Sequence, residues 1–124
     1  MSDYSKYDEY LSLLDFRDVN PIEAEKIAEK CFHAQAWIVK DLAAAEYKEL
    51  LLGDAEEVSQ SEQMLIVPSE YKNAESRKAW VVTRPERKEA FQKFIKAKTS
   101  VQFLVRLLRL FENASNYYGR KAGR

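Results

Sequence analysis

The sequence has little of what turn-rich folds, disulfides and metal sites require. Three glycines and three prolines occur in 124 residues, whereas all-β folds need many more turn residues, so the composition favours helices. The only cysteine, Cys31, cannot form an internal disulfide. The only histidine, His33, is two positions away and would face another side of a helix, so the two residues do not predict a metal site. Because 46% of the residues are hydrophobic, a core can form, and we predict an all-α fold.

Long apolar runs and catalytic motifs are also missing. No apolar run approaches the ~20 residues that cross a bilayer, and the first residues lack the basic and apolar regions of a signal peptide. Together with the single cysteine, this predicts a cytoplasmic protein without a membrane segment. No nucleophile-and-base pattern or phosphate-binding glycine loop occurs. We therefore expect a protein that is not an enzyme and needs no cofactor or metal.

The formal net charge of zero hides an uneven distribution. Residues 1–70 hold six basic and sixteen acidic side chains, and residues 71–124 hold fourteen and four, so the two halves carry −10 and +10. This asymmetry has two explanations: a polyanionic partner for the basic half, or pairing of the halves within or between subunits. The sequence leaves both open.

The clearest helix start is Asn20-Pro21, with an N-cap asparagine, a proline at the first helical position and Glu23 in the first turn. We predict a long helix over 21–52, ended or kinked by Gly53, because glycine costs about 1 kcal/mol inside a helix. Three- and four-residue spacing gives this helix an apolar stripe. The stripe consists of Ala24, Ile27, Ala28, Cys31, Ala34, Ile38, Leu42 and Ala45.

A second long helix is predicted over 84–118. Thr83-Arg84-Pro85-Glu86 has the order of a capping box with a proline in the first turn. The later apolar residues again share helical spacing. They are Phe94, Val101, Leu104, Leu108, Phe111 and Tyr118. Gly119 is expected to stop the helix and leave residues 119–124 as a flexible basic tail.

Two shorter elements complete the prediction. Residues 3–16 are amphipathic and indicate a short helix. Residues 69–80 begin with Ser69, a candidate N-cap, and are followed by Val81-Val82, which favours extended backbone. We predict a single domain over 1–118, an antiparallel hairpin of two long helices with a short N-terminal helix and a helical or looped connector.

Basic and aromatic side chains between Tyr71 and Lys98 are the strongest functional signal. Cations neutralise phosphates and aromatic faces stack on unpaired bases, a combination that binds single strands without reading sequence. The candidate nucleic-acid-binding residues are Lys72, Arg77, Lys78, Trp80, Arg84, Arg87, Lys88, Lys93 and Lys96. The alternative is that Trp80 lies in the core and the lysines solvate a helix.

The late apolar residues of the last helix predict a homo-oligomer, because they form a stripe wider than one neighbouring helix requires. The candidate interface residues are Leu104, Leu107, Leu108, Phe111 and Tyr118.

Over Pro21 to Tyr118, the chain resembles the small helical phage proteins of the UvsY recombination-mediator type. The resemblance rests on an Ala-rich first helix with Trp37, the stretch Glu75-Ser76-Arg77-Lys78-Ala79-Trp80-Val81, and a last helix that ends in leucine-rich and aromatic turns. It implies an oligomeric, non-enzymatic protein that binds single-stranded DNA and helps a phage recombinase displace a single-strand-binding protein in the host cytoplasm. The rival hypothesis is a helical interaction or assembly protein with no nucleic-acid role.

Overall fold

The computed structural model describes residues 4–123, and all of their regular structure is helical. A 3₁₀ helix, Ser5–Leu14, is followed by three α-helices: α1 (Pro21–Leu65), α2 (Ala74–Val82) and α3 (Pro85–Lys121). No strand occurs within residues 4–123, which confirms the all-α prediction for that range. The short N-terminal helix is also confirmed, although its predicted first residue, Asp3, lies outside the described residues.

The chain groups into two compact units, and the single domain stays a prediction. Unit 1 comprises Met1–Ala44 and Gln102–Arg124, and unit 2 comprises Ala45–Val101. In unit 1, the side-chain amide of Gln35 on α1 donates to the carbonyl of Phe111 on α3 over 3.3 Å. In unit 2, Glu56 on α1 pairs with Arg87 on α3 over 3.1 Å. The predicted packing of the two long helices is therefore present in both units.

Unit 1 contains the larger apolar core. The predicted stripe on α1 is confirmed there, because its members up to Ile38 are all buried. From α3 the core receives Leu104, Leu107, Phe111, Ala114 and Tyr118. Burial raises the pKa of the Cys31 thiol to about 11, so this cysteine stays protonated and behaves as a small apolar side chain.

The C-terminal turns of α3 hold the loop that precedes α1. The hydroxyl of the buried Tyr118 donates to the carbonyl of Asp15 over 2.7 Å and accepts from the backbone N–H of Arg17 over 3.0 Å. The ring of Tyr117 stacks on Phe16 with centroids 4.9 Å apart. These contacts place the predicted end of α3 in the middle of a packed region.

The predicted tail is consequently wrong in its first residues. Helix α3 continues through Gly119, which is buried, to Lys121. The ammonium of Lys121 pairs with Asp18 over 3.0 Å. The glycine with positive φ that follows the helix is Gly123, at +88°, a conformation that favours glycine over other residues.

The start of α1 is confirmed, but its predicted end is wrong. The Asn20 side chain accepts from the backbone N–H of Glu23 over 2.8 Å, as an N-cap does, and Pro21 is the first helical residue. The helix then passes through Gly53 without a break and ends at Leu65. A Cβ at Gly53 would lie 3.2 Å from Cε1 of Phe94, so the glycine lets α3 approach closely instead of ending α1.

The connector contains a helix, one of the two predicted alternatives, but its bounds differ from the prediction. Asn73, not Ser69, is the N-cap of α2, and its side chain accepts from the backbone N–H of Ser76 over 2.7 Å. Val81 and Val82 are helical rather than extended. Thr83 does not form a capping box for α3: its hydroxyl donates backwards to the carbonyl of Trp80 over 2.7 Å, at the C-terminus of α2.

Candidate nucleic-acid interface

The candidate nucleic-acid residues all lie in unit 2. Lys72 precedes α2, Arg77, Lys78 and Trp80 are on α2, and the others lie at or beyond the turn into α3, at Arg84, Arg87, Lys88, Lys93 and Lys96. Unit 2 as a whole is not basic, because its residues include ten acidic and ten basic side chains, as do those of unit 1. The opposite charges of the two sequence halves are therefore balanced inside each unit. Any attraction for phosphate must arise from local geometry.

An aromatic and basic cluster forms where α2 ends. The Arg84 guanidinium lies over the Trp80 ring, 4.3 Å from its centroid. The Arg84 Nε–H also donates to the Trp80 carbonyl over 3.3 Å, and this fixes the guanidinium on the ring. Tyr71 lies at a tilt on Trp80, with centroids 6.4 Å apart. The cluster presents two aromatic rings and a delocalised cation next to one another at a half-buried site.

Arg77 has a structural role that sequence reasoning missed. Its guanidinium donates to the carbonyl of Met64 in the last turn of α1, over 3.3 Å, and to the carbonyl of Tyr71 over 3.2 Å. A cation at this end of a helix satisfies carbonyls that lack intrahelical partners and is favoured by the helix dipole. Only the fold brings these groups together, since Met64 is thirteen residues from Arg77.

We expect Arg77→Ala to lower the free energy of unfolding by about 1 kcal/mol, since it removes two hydrogen bonds from a half-buried cation. The matched control is Lys78→Ala, which removes the neighbouring exposed cation and should change stability by less than about 0.5 kcal/mol. Urea denaturation followed by circular dichroism measures both. Equal effects of the two substitutions would show that Arg77 does not hold the end of α1.

Arg87 is also engaged inside unit 2. It pairs with Glu56 over 3.1 Å, with only 17% and 13% of the two side chains exposed, and its guanidinium lies 4.6 Å from the centroid of the Phe91 ring. Its Nε is buried and has no hydrogen-bond partner in the described part of the chain. Arg87 is therefore poorly placed to contact a phosphate, because its charge is already paired.

The remaining lysines divide into paired and free ones. Lys93 pairs with Glu89 one turn away over 3.3 Å, at an exposed site where such a pair contributes little. The other candidate lysines are exposed and have no ion pair among residues 4–123. They are Lys72, Lys78, Lys88 and Lys96. These four, with the Trp80 cluster, are what the structure leaves available for a polyanion.

The predicted oligomer interface is mostly part of the core. Leu104, Phe111 and Tyr118 are completely buried and Leu107 is nearly so, while Leu108 is half-buried. Four of the five side chains are therefore buried within the chain itself, and only Leu108 keeps partial exposure. Of these residues, Tyr118 contacts the loop before α1 through its hydroxyl.

Unit 2 exposes more large apolar side chains than it buries. Its buried apolar residues are Ala45, Val67, Val81 and Ala97. Its exposed large apolar residues are Tyr47, Leu50, Leu51, Val58, Leu65, Ile66, Val82, Phe91 and Ile95. Extensive apolar exposure marks interaction surfaces. The helical spacing of Tyr47, Leu50 and Leu51 on a second face of α1 was the sequence signal for it.

Residues 4–123 contain no group of three or more histidine, cysteine, aspartate or glutamate side chains arranged to hold a metal ion. Over the same residues, no helix combines the length and the apolar character needed to cross a membrane.

Comparison with known proteins gives no relative: no family model, no curated protein and no solved structure matches the chain. The resemblance to the UvsY-type mediators stays a prediction.

Proposed function

We propose that this protein binds single-stranded nucleic acid through unit 2, as a non-enzymatic mediator that assists a recombinase. The observation that carries the proposal is the Trp80 cluster, in which Arg84 and Tyr71 adjoin the indole ring. Base stacking on aromatic and guanidinium planes tolerates any sequence. The free lysines on α2 and α3 supply phosphate contacts in the same unit.

In this proposal, stacking and charge have separate contributions. Trp80, Arg84 and Tyr71 provide the surface for a base, and Lys72, Lys78 and Lys96 contact the backbone. Contact with a recombinase and with a single-strand-binding protein is the part of the proposal that rests on the resemblance alone.

The charge contribution is tested by the salt dependence of oligo-dT binding. Each phosphate neutralised on a single strand adds about 0.7 to the slope of log affinity against log salt. We expect the triple substitution Lys72→Ala, Lys78→Ala and Lys96→Ala to lower that slope by up to about 2, as measured by fluorescence anisotropy of labelled oligo-dT. The matched control replaces Lys26, Lys30 and Lys40, three exposed lysines of unit 1, and should leave the slope unchanged. Absence of wild-type binding at low salt would refute the proposal.

Stacking is tested by Trp80→Ala, which should weaken oligo-dT binding by roughly 1–3 kcal/mol, because one base loses its stacking surface. Trp80→Phe retains an aromatic face and should recover most of the affinity. Trp37→Ala removes the other tryptophan, which packs edge-on against Tyr10 in unit 1, and should have no effect on binding. If oligo-dT changes the tryptophan fluorescence of the Trp80→Phe variant as it does that of the wild type, stacking at this site is contradicted.

A second function, that of a helical interaction or assembly protein, is favoured by a different observation. Both units carry balanced charges, and unit 2 exposes nine large apolar side chains while its buried apolar residues are two valines and two alanines. Charge balance removes the long-range attraction for polyanions, and uncovered apolar surface favours a protein partner. Sedimentation of nuclease-treated protein over a range of concentrations tests this function, which predicts association without nucleic acid.

A further inference from the structure

Unit 2 contains a groove whose rim carries four carboxylates and whose apolar part is small. The groove, of about 450 Å³, has Gly53 and Phe94 among its lining residues, together with Leu50, whose side chain is 63% exposed. The rim carboxylates belong to Glu46, Glu49, Asp54 and Glu57. None of the four forms an ion pair within residues 4–123, in contrast to Glu56, which pairs with Arg87. The groove therefore carries unpaired negative charge, and its apolar side chain Leu50 is exposed to solvent.

The same unit has a second surface of opposite character on α3. Lys88, Phe91, Ile95 and Lys98 follow one another at steps of three and four residues, so they share one helix face. Phe91 and Ile95 are each 39% exposed, and neither lysine has an ion pair in the described part of the chain. This basic face consists of two apolar side chains bracketed by two free cations.

The groove and the basic face match in both charge and spacing. Glu46 and Glu57 are eleven residues apart on α1, about 17 Å at the rise of an α-helix, and Lys88 and Lys98 are ten residues apart on α3, about 15 Å. Between its charged ends, each surface presents exposed apolar side chains: Leu50 on the groove and the Phe91 and Ile95 pair on the basic face. Two helices at van der Waals distance could thus align both charge pairs around a shared apolar centre.

We infer that the occupant of the groove is a second copy of this chain, which docks the basic face of its α3 there. Such a contact is heterologous, because two different surfaces meet, so in a dimer one copy keeps a free basic face and the other keeps a free groove. Assembly is therefore head to tail and continues beyond the dimer. It covers three of the large apolar side chains that unit 2 leaves exposed, Leu50, Phe91 and Ile95. This inference deepens the assembly function named above and does not rest on nucleic-acid binding.

Two charge-reversed variants separate the surfaces. The groove variant carries Glu46→Lys and Glu57→Lys, and the basic-face variant carries Lys88→Glu and Lys98→Glu; all four positions are exposed. Light scattering with size-exclusion chromatography, on nuclease-treated protein, measures the mass against concentration. We expect the wild type to grow beyond the dimer, and each variant alone to associate at least tenfold more weakly. Circular dichroism and the unfolding midpoint confirm that both variants are folded.

Mixing the two variants gives the decisive result. In an equimolar mixture, the intact basic face of one variant meets the intact groove of the other, and the reversed face meets the reversed groove, so the mixture should recover an assembly of alternating chains that neither variant forms alone. A chain with all four reversals should regain extended assembly, since the two surfaces are complementary again. Assembly of either variant at wild-type strength would overturn the inference while leaving the assembly function intact. A wild type that stays monomeric at every concentration would overturn both the inference and the assembly function. Nucleic-acid binding is tested independently, because the variants used for oligo-dT binding keep these four residues.

Discussion

Replacing Tyr118 by alanine is expected to lower the free energy of unfolding by about 3–5 kcal/mol, the range typical of truncating a large buried aromatic side chain. The Tyr118 ring is completely buried in unit 1. Its hydroxyl donates to the carbonyl of Asp15 and accepts from the N–H of Arg17, so it satisfies two backbone groups of the loop before α1. Truncation thus leaves a cavity and two unpaired backbone groups. Chemical denaturation monitored by circular dichroism measures the loss.

Conservative substitutions separate the ring from the hydroxyl. Tyr118→Phe retains the ring and should cost about 1–2 kcal/mol, the penalty for two half-buried backbone groups that lose their partner. Tyr117→Phe is the matched control, because its hydroxyl makes one longer bond of 3.3 Å to the carbonyl of Arg17 at an exposed site. It should cost less than about 0.5 kcal/mol. A loss below 1 kcal/mol for Tyr118→Ala would mean that the end of α3 does not hold this loop.

The parts of the fold that the sequence predicts are those set by local signals. The N-cap Asn20 and the stripe that includes Ile27 and Ile38 depend on neighbours within a few residues, and both are confirmed. The predictions at Gly53 and Thr83 were wrong because the local signals of these residues are ambiguous. Glycine permits a turn but equally permits close helix contact, and here Phe94 decides the matter. The Thr83 hydroxyl can cap the helix that follows or bond to the one that precedes, and it does the latter.

The candidate site was only partly predictable for the same reason. Sequence composition identified the basic residues but could not separate free cations from engaged ones. Arg77 and Arg87 find their partners, Met64 and Glu56, only through the fold. The sequence likewise leaves open whether the oppositely charged halves attract a polyanion or pair with each other, and the antiparallel packing of α1 and α3 balances their charges within each unit.

The second large effect is expected at Tyr7, which docks the 3₁₀ helix on α1. Its ring is 1% exposed, and its hydroxyl donates to the Asp41 carboxylate over 2.5 Å. Asp41 also pairs with Lys6 over 2.8 Å. Tyr7→Ala should therefore cost about 3–5 kcal/mol. Tyr7→Phe should cost about 1.5–3 kcal/mol, because the lost hydrogen bond is to a charged group.

The pH dependence of stability gives this pair a distinctive signature. Burial and then the hydrogen bond to Asp41 raise the pKa of Tyr7 above its ordinary value. Tyrosine in the unfolded chain ionises near pH 10, so this contribution is complete below about pH 10 and is lost as the pH rises further. Burial alone would raise the pKa of Asp41, but the hydrogen bonds from Lys6 and Tyr7 outweigh it and lower that pKa. The Asp41 contribution is therefore present above about pH 4 and is lost as the pH falls through the lowered pKa.

We expect Tyr7→Phe to remove the loss of stability that ionisation of this hydroxyl causes at alkaline pH. Asp41→Asn should make the free energy of unfolding less dependent on pH in the acid range. Denaturant titrations from pH 3 to pH 11 measure both, with Tyr47→Phe as the control, because Tyr47 is an exposed tyrosine on α1, the helix that carries Asp41. The double substitution tests whether the two residues act as one unit: their combined cost should be smaller than the sum of the single costs, since either change alone breaks the same hydrogen bond. Additive costs, or an alkaline slope that Tyr7→Phe leaves unchanged, would show that the docking of the 3₁₀ helix does not depend on this bond.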